Sequence, residues 1–324
     1  MTHRIGQILI RAIVTLLMVA ILNFILFRIV PGDPARLLLA GARTAVTAKQ
    51  IEAQRQRWGL DRPLIPDQVV DYLSATLHGD LGFSFKFRGR YVADLILERL
   101  PATIVLVGLA QFIAILCGVV LGLYAGWRRG GAIDQIATGA SLALYSTPSF
   151  WVGMLLVVVF STALGWLPGY GVYSPGATIG FFDGLLDHLR HLALPVAAVA
   201  LGLIGQYVVV ARAAMSDVVT EDYMVTARAK GLTNGQMLVR HAFRNAMLPV
   251  VTLVTLNLGY VVAGAITVEA VFAWPGIGGL TVEALNARDY PVLQGIFLLL
   301  GASIVIANLM ADLAYGLLDP RVRK

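Results

Sequence analysis

Long apolar runs alternate with polar connections along the chain. A helix needs about 20 apolar residues to cross the hydrocarbon core of a bilayer. Six stretches reach that length: 8–30, 101–127, 135–163, 192–214, 249–272 and 292–315. They predict an all-α, polytopic membrane protein with six transmembrane helices. The first stretch follows Arg4, as a signal peptide would. Its apolar run is longer than a signal sequence needs, and it ends in Pro31-Gly32-Asp33-Pro34 without a small-residue cleavage pattern, so a retained span is expected.

Two connections are long enough to hold structure of their own. In 31–100, Thr47 and Gln50 form a capping-box pattern that opens a helix, and Gly59 can close it. A second helix is predicted from Pro66, with Val69, Val70, Leu73 and Leu77 on one side and Gly79 as its stop. A third, 91–100, leads into the second apolar stretch. The other long connection, 216–248, predicts two short helices. The first covers roughly 221–230 and stops at Gly231, a residue that adopts positive φ without penalty. Thr233 and Gln236 then form a capping box for the second, which carries Leu238 and Ala242 on one side with Arg240 and Arg244 nearby. Pro249 marks the return to the apolar phase. Connections between helices usually run two to eight residues, so a block this long and this patterned is read as functional.

Composition narrows the class. Of the 324 residues, 58% are hydrophobic and only 14% are charged, against about 25% charged in a soluble domain. Mean hydropathy is +0.76. The net charge of +6 is therefore no nucleic-acid signal; it is loop charge, which sets topology. An inside N-terminus places Arg4, Arg11, Arg128, Arg129, Arg212, Arg228, Lys230, Arg240, Arg244, Arg321, Arg323 and Lys324 in the cytoplasm and leaves only Arg190 and Arg288 on the short outer loops. Section 31–100 carries ten basic and eight acidic residues, and loops longer than about 60 residues translocate largely regardless of charge. Both termini are thus expected in the cytoplasm, with 31–100 extracytoplasmic and 216–248 cytoplasmic. The single cysteine, Cys117, excludes an internal disulfide.

The segment "EDYMVTARAKGL" with "RHAFRNAMLPVV" resembles the cytoplasmic coupling loop of ABC-importer permeases of the dipeptide, oligopeptide and nickel class. "FRIVPGDPA", "WGLDRPL", "HGDLGFSF", "ERLPATI", "YSTPSFWVGMLL", "VEAVFAWPGIGGL", "RDYPVLQG" and "DLAYGLLDPRVR" extend the likeness over nearly the whole chain. Against the general ABC-importer consensus of Glu-Ala-Ala, three residues, then Gly, the chain departs. Ala227 and Gly231 match, Val225 and Thr226 stand where Glu and the first Ala would be, and Leu248-Pro249 falls five residues late. The peptide-type subgroup usually shows this form.

The resemblance implies one transmembrane permease domain over 1–324 and a definite set of partners. These are a second, related permease subunit, two ATP-binding subunits, an extracytoplasmic solute-binding protein and the lipid bilayer, with a peptide or similar small solute as cargo. The first short helix of 216–248 would dock in a groove on an ATPase. Asp222, Tyr223, Ala227, Arg228, Ala229, Lys230 and Gly231 are its candidate coupling residues. Ala227, Ala229 and Gly231 would allow close approach, Tyr223 would fill a pocket, and Arg228 and Lys230 would meet acidic groups at the rim, where charge tunes rate and register.

Other residues invite a role on chemistry alone. Gly118, Gly122 and Gly126 form a double G-x-x-x-G, a spacing that lets helices approach closely, within the chain or at a seam with a partner. Glu269 is an ionisable group in a membrane segment, either a pathway or outer-gate residue or a locally paired one. His188 and His191 could share a helix face as metal ligands, but no third ligand lies near them in sequence. Asn23 and Gln111 are candidates for hydrogen bonds between helices, and Asp312 for a cytoplasmic-end anchor. The chain lacks the G-x-x-x-x-G-K-[ST] phosphate loop, H-E-x-x-H and G-x-S-x-G. No cofactor is therefore expected, and ATP hydrolysis is expected on the partners. A self-contained secondary transporter or channel is the rival reading. It would favour internal repeats and midplane charges, and the apolar stretches show no clear repeat and few such charges.

Overall fold

The computed structural model describes residues 2–29, 63–87, 89–174, 180–263 and 265–318. The helix expected from Thr47 lies outside them. The chain divides into two compact units, one of Met1–Pro101 with Leu280–Leu309 and one of Ala102–Gly279 with Met310–Lys324. Every described helix is α-helical apart from short π-helical turns, and the only extended pairing among the described residues is a bridge between Phe83 and Tyr91.

In the first unit, α1 (Thr2–Phe24) continues through a π-helical turn at Ile25–Ile29. A π-turn at Leu64–Gln68 leads into α2 (Val69–Leu77), which Gly79 closes. The helix expected at 91–100 is the beginning of α3 (Val92–Trp127), 36 residues long. Pro101 lies inside α3 and does not break it; a proline removes one backbone hydrogen bond, a loss that membrane helices tolerate through local adjustment. The unit is completed by most of α11 (Ile277–Ala287) and by α12 (Tyr290–Leu318) as far as Leu309.

Polar ties hold this unit. Asn23 donates from Nδ2 to the Gln294 carbonyl at 3.1 Å and accepts from the Tyr72 hydroxyl at 3.1 Å. The rings of Phe24 and Tyr72 lie 5.3 Å apart beside them. Asp289 is fully buried and accepts from the Ser84 hydroxyl at 2.5 Å and from the backbone N–H groups of Phe85 and Lys86 at 3.0 and 2.9 Å. The motifs "HGDLGFSF" and "RDYPVLQG" are thus two halves of one contact. The outer side of α1 stays apolar and exposed at Ile10, Ile13 and Met18, as a lipid-facing surface requires.

The second unit holds the remainder of α3, then α4 (Ala132–Ser146), α5 (Ser149–Leu156, extended by a π-turn at Val157–Ala163) and α6 (Phe181–Val219). It continues with α7 (Asp222–Ala229), α8 (Asn234–Met237), α9 (Phe243–Ala263) and α10 (Ile266–Val271). Three expectations need correction here. The stretch 135–163 is not one straight span: α4 and α5 meet at 100°. Thr147 is extended at ψ 126° because Pro148 behind it disfavours the helical region. The stretch 249–272 is divided, since α9 ends at Ala263 and α10 is a separate short helix. Finally, Pro249 does not open a new helix; α8, a π-turn at Leu238–Ala242 and α9 run on through it.

Among the described residues four helices are long and apolar enough to span a bilayer, and the bent pair α4–α5 makes up to five. The protein is an all-α polytopic membrane protein. Two apolar clusters organise the second unit. One gathers Leu106, Ala110, Leu192, Val196, Phe272 and Trp274. The other joins Tyr207, Ala211 and Met215 of α6 to Met224, Ala227, Met237 and Ala246.

Candidate functional site

The block 216–248 folds as an elbow. Glu221 precedes α7 in extended conformation, and acidic Asp222 lies in the first turn while Arg228 lies in the last. Both charges complement the helix dipole. The helix stops where Gly231 takes φ +77°, a conformation that costs a side-chain-bearing residue strain. The capping box at the next helix is complete: the Thr233 N–H donates to Gln236 Oε1 at 3.0 Å, and the Gln236 N–H donates to Thr233 Oγ1 at 3.3 Å.

The elbow has two faces. Met224 and Ala227 are buried in the cluster that holds Met215 and Met237. Asp222, Tyr223, Val225, Thr226, Arg228, Ala229, Lys230 and Gly231 are exposed. Ala227 is therefore small for the chain's own packing, and it lies on the seam rather than on the outer surface expected of it. Tyr223 is braced internally as well, its hydroxyl accepting from Asn245 Nδ2 at 2.9 Å. Arg240 and Arg244 are exposed, while Leu238 is half-buried and Ala242 buried.

Gly118, Gly122 and Gly126 line the contact of α3 with α6. A Cβ on Gly118 would stand 2.6 Å from the Tyr207 Cβ; on Gly122, 2.5 Å from the Val208 carbonyl; on Gly126, 2.5 Å from the Arg212 carbonyl. Backbone meets backbone over two turns, and only glycine leaves the room.

Glu269 is fully buried. Its carboxylate accepts from Thr103 Oγ1 at 2.7 Å and from the N–H groups of Gly278 and Gly279 at 2.7 and 3.2 Å. Thr103 in turn accepts from the Ile277 N–H at 2.8 Å. The carboxylate thus pins the "WPGIGG" turn onto α3, and the motifs "ERLPATI" and "VEAVFAWPGIGGL" are joined through it.

His188 and His191 do different things. His191 hydrogen-bonds the Asp187 carbonyl at 2.9 Å, while the His188 ring lies between Tyr173 and Trp274. Among the described residues no group of three or more His, Cys, Asp or Glu is placed to hold a metal ion. Gln111 donates to the Tyr207 hydroxyl, which also accepts from Asn257 at 3.1 Å. Asp312 lies in α12, exposed.

Sequence reasoning missed the pairing of Asp134 with Arg212. Arg212 Nε and Nη2 donate to the two carboxylate oxygens, each at 2.8 Å, and the Gly130 N–H adds a bond at 2.9 Å. The two residues are 78 apart in sequence, and no local pattern announces the contact.

Comparison with known proteins places this architecture. Residues 118–324 match the family described as binding-protein-dependent transport system inner membrane component, and residues 1–107 match the N-terminal membrane component of the same systems. A putative peptide permease protein of Brucella suis is 39% identical over 311 residues, covering 95% of both chains. A putative peptide transport system permease protein of Brucella abortus is 40% identical, covering 97% of this chain and 96% of its own. A di/tripeptide transport system permease protein of Pseudomonas aeruginosa is 39% identical, covering 94% of each. Such membership implies partners of an ABC transporter complex. The chain belongs to the inner-membrane components of binding-protein-dependent transport systems, and it is a multi-pass permease subunit of an ABC importer.

Proposed function

We propose that the chain forms half of the translocation path for peptides or chemically similar small solutes, with the elbow as its docking point for an ATPase. The observation that carries the coupling role is the two-faced elbow. A short helix closed by Gly231, with a buried inner face, is stiff enough to transmit force, and its outer face offers Asp222, Val225, Arg228, Ala229 and Lys230 to a partner. In this reading α1, α3, the bent pair α4–α5, α6, α9 and α12 make six spans. Both termini and 216–248 face the cytoplasm, and 31–100 faces outward. A related but non-identical permease supplies the second elbow, two ATPases supply the two grooves, and an extracytoplasmic binding protein delivers solute. The names of the relatives support peptides as the cargo class. Uptake by the reconstituted complex against a panel of di-, tri- and oligopeptides and metal chelates tests this. Peptide uptake is expected, and uptake of chelates alone would overturn the cargo class.

A further inference from the structure

We propose that the Asp134–Arg212 pair is the joint through which displacement of the elbow reaches α4, making both residues positioning residues for coupling. The proposal rests on the docking role given to the elbow above. Arg212 lies two turns before α6 ends at Val219, and α6 runs almost directly into α7. Met215, one turn further on, shares its apolar cluster with Met224 and Ala227 of the elbow. The elbow and this end of α6 are therefore one packed body.

Helix α4 lies antiparallel along α6. Asp134 meets Arg212 at one end, and Ser141 and Tyr145 press on Gly205 at the other. Apolar and small-residue seams let two helices slide along each other. A two-point carboxylate–guanidinium contact does not, because its geometry fixes axial register. The Gly130 N–H extends the same hold to the turn that follows α3, whose Gly126 abuts the Arg212 backbone. Asp134 is 3% exposed, so water offers its carboxylate little replacement. One turn beyond Tyr145 comes the 100° bend at Thr147-Pro148. A push on the elbow, carried in register to α4, is delivered to that bend.

The test uses the complete importer with spin labels at Ile136→Cys on α4 and Val239→Cys on the elbow, both exposed positions, in a Cys117→Ser background. With the native pair, the distance between labels should be the same at rest and with ATP trapped on the ATPases. In Asp134→Ala it should broaden or shift by up to about one helical turn, roughly 5 Å. Because Asp134→Ala strips a half-buried arginine of its carboxylate partner, Asp134→Leu with Arg212→Leu provides a second variant without unpaired charge, and it should show the same loosening. A native distance that itself shifts on ATP trapping would overturn the joint, as would a distance unchanged in the double leucine variant. The docking reading fails separately, if Ala229→Trp retains its ATPases on purification.

Discussion

At the scale of single residues, buried acids in this chain act as ties. Glu269 collects one hydroxyl and two backbone donors, and Asp289 collects the same kinds of donor in the other unit. Glu269→Ala strips the acceptor from Thr103 and from two N–H groups that have nowhere else to turn. Each buried donor left unpaired costs about 1–3 kcal/mol, so a clear loss of thermal stability in detergent is expected. Glu269→Gln keeps one acceptor oxygen and should lose less. A melting temperature for Glu269→Ala equal to that of the wild type would show that the carboxylate ties nothing. Glu269 was legible as a residue that needs a partner. Which partner was not, because Thr103 is 166 residues away and no period or cap links the two.

At the scale of elements, the elbow yields a prediction that separates its two faces. Ala229→Trp adds bulk outward and should release the ATPases while leaving thermal stability unchanged. Ala227→Trp adds bulk inward, against the cluster of Met224 and Met237, and overpacking of that kind costs about 1–3 kcal/mol. It should lower the melting temperature first and docking only as a consequence. Gly231→Val places a β-branched residue at φ +77°, a strain of about 1–3 kcal/mol, and should uncouple transport while insertion survives. If Ala229→Trp leaves the ATPases bound and the uptake rate intact, the elbow is a connector only. Local chemistry made this element readable: the stop glycine and the capping box lie within the six residues from Gly231 to Gln236. The bend at Thr147-Pro148 had an equally local signal, but the apolar run continues through it and hides the proline. Pro101, Pro195 and Pro249 stay inside helices, so a proline in an apolar run does not by itself declare a break.

At the scale of the whole molecule, the apolar pattern makes the class readable and leaves span count and orientation to charge. The spans expected at 101–127 and 192–214 are parts of longer helices, since α3 and α6 reach 36 and 39 residues, well past the roughly 20 that a bilayer requires. Their extra turns carry polar residues such as Glu98 and Asp187, which fit interfaces and not hydrocarbon. Orientation rests on the contrast between twelve basic residues assigned to one side and two on the short loops of the other. Reversing the chain would place Arg128, Arg129 and the basic elbow outside, against the bias that short loops obey. Arg128 and Arg129 lie exposed in the short turn between α3 and α4, where that bias counts most. Reporter fusions after Arg128 and after Lys324 should therefore read cytoplasmic, and a fusion within 45–55 should read external. The Lys324 fusion decides the span count, because an external C-terminus with a cytoplasmic Arg128 requires an odd number of crossings between them. Loss of α9 from the spans would produce that outcome and leave the elbow cytoplasmic, whereas an α4–α5 pair that re-enters without crossing would put the elbow on the wrong side of the membrane for any ATPase.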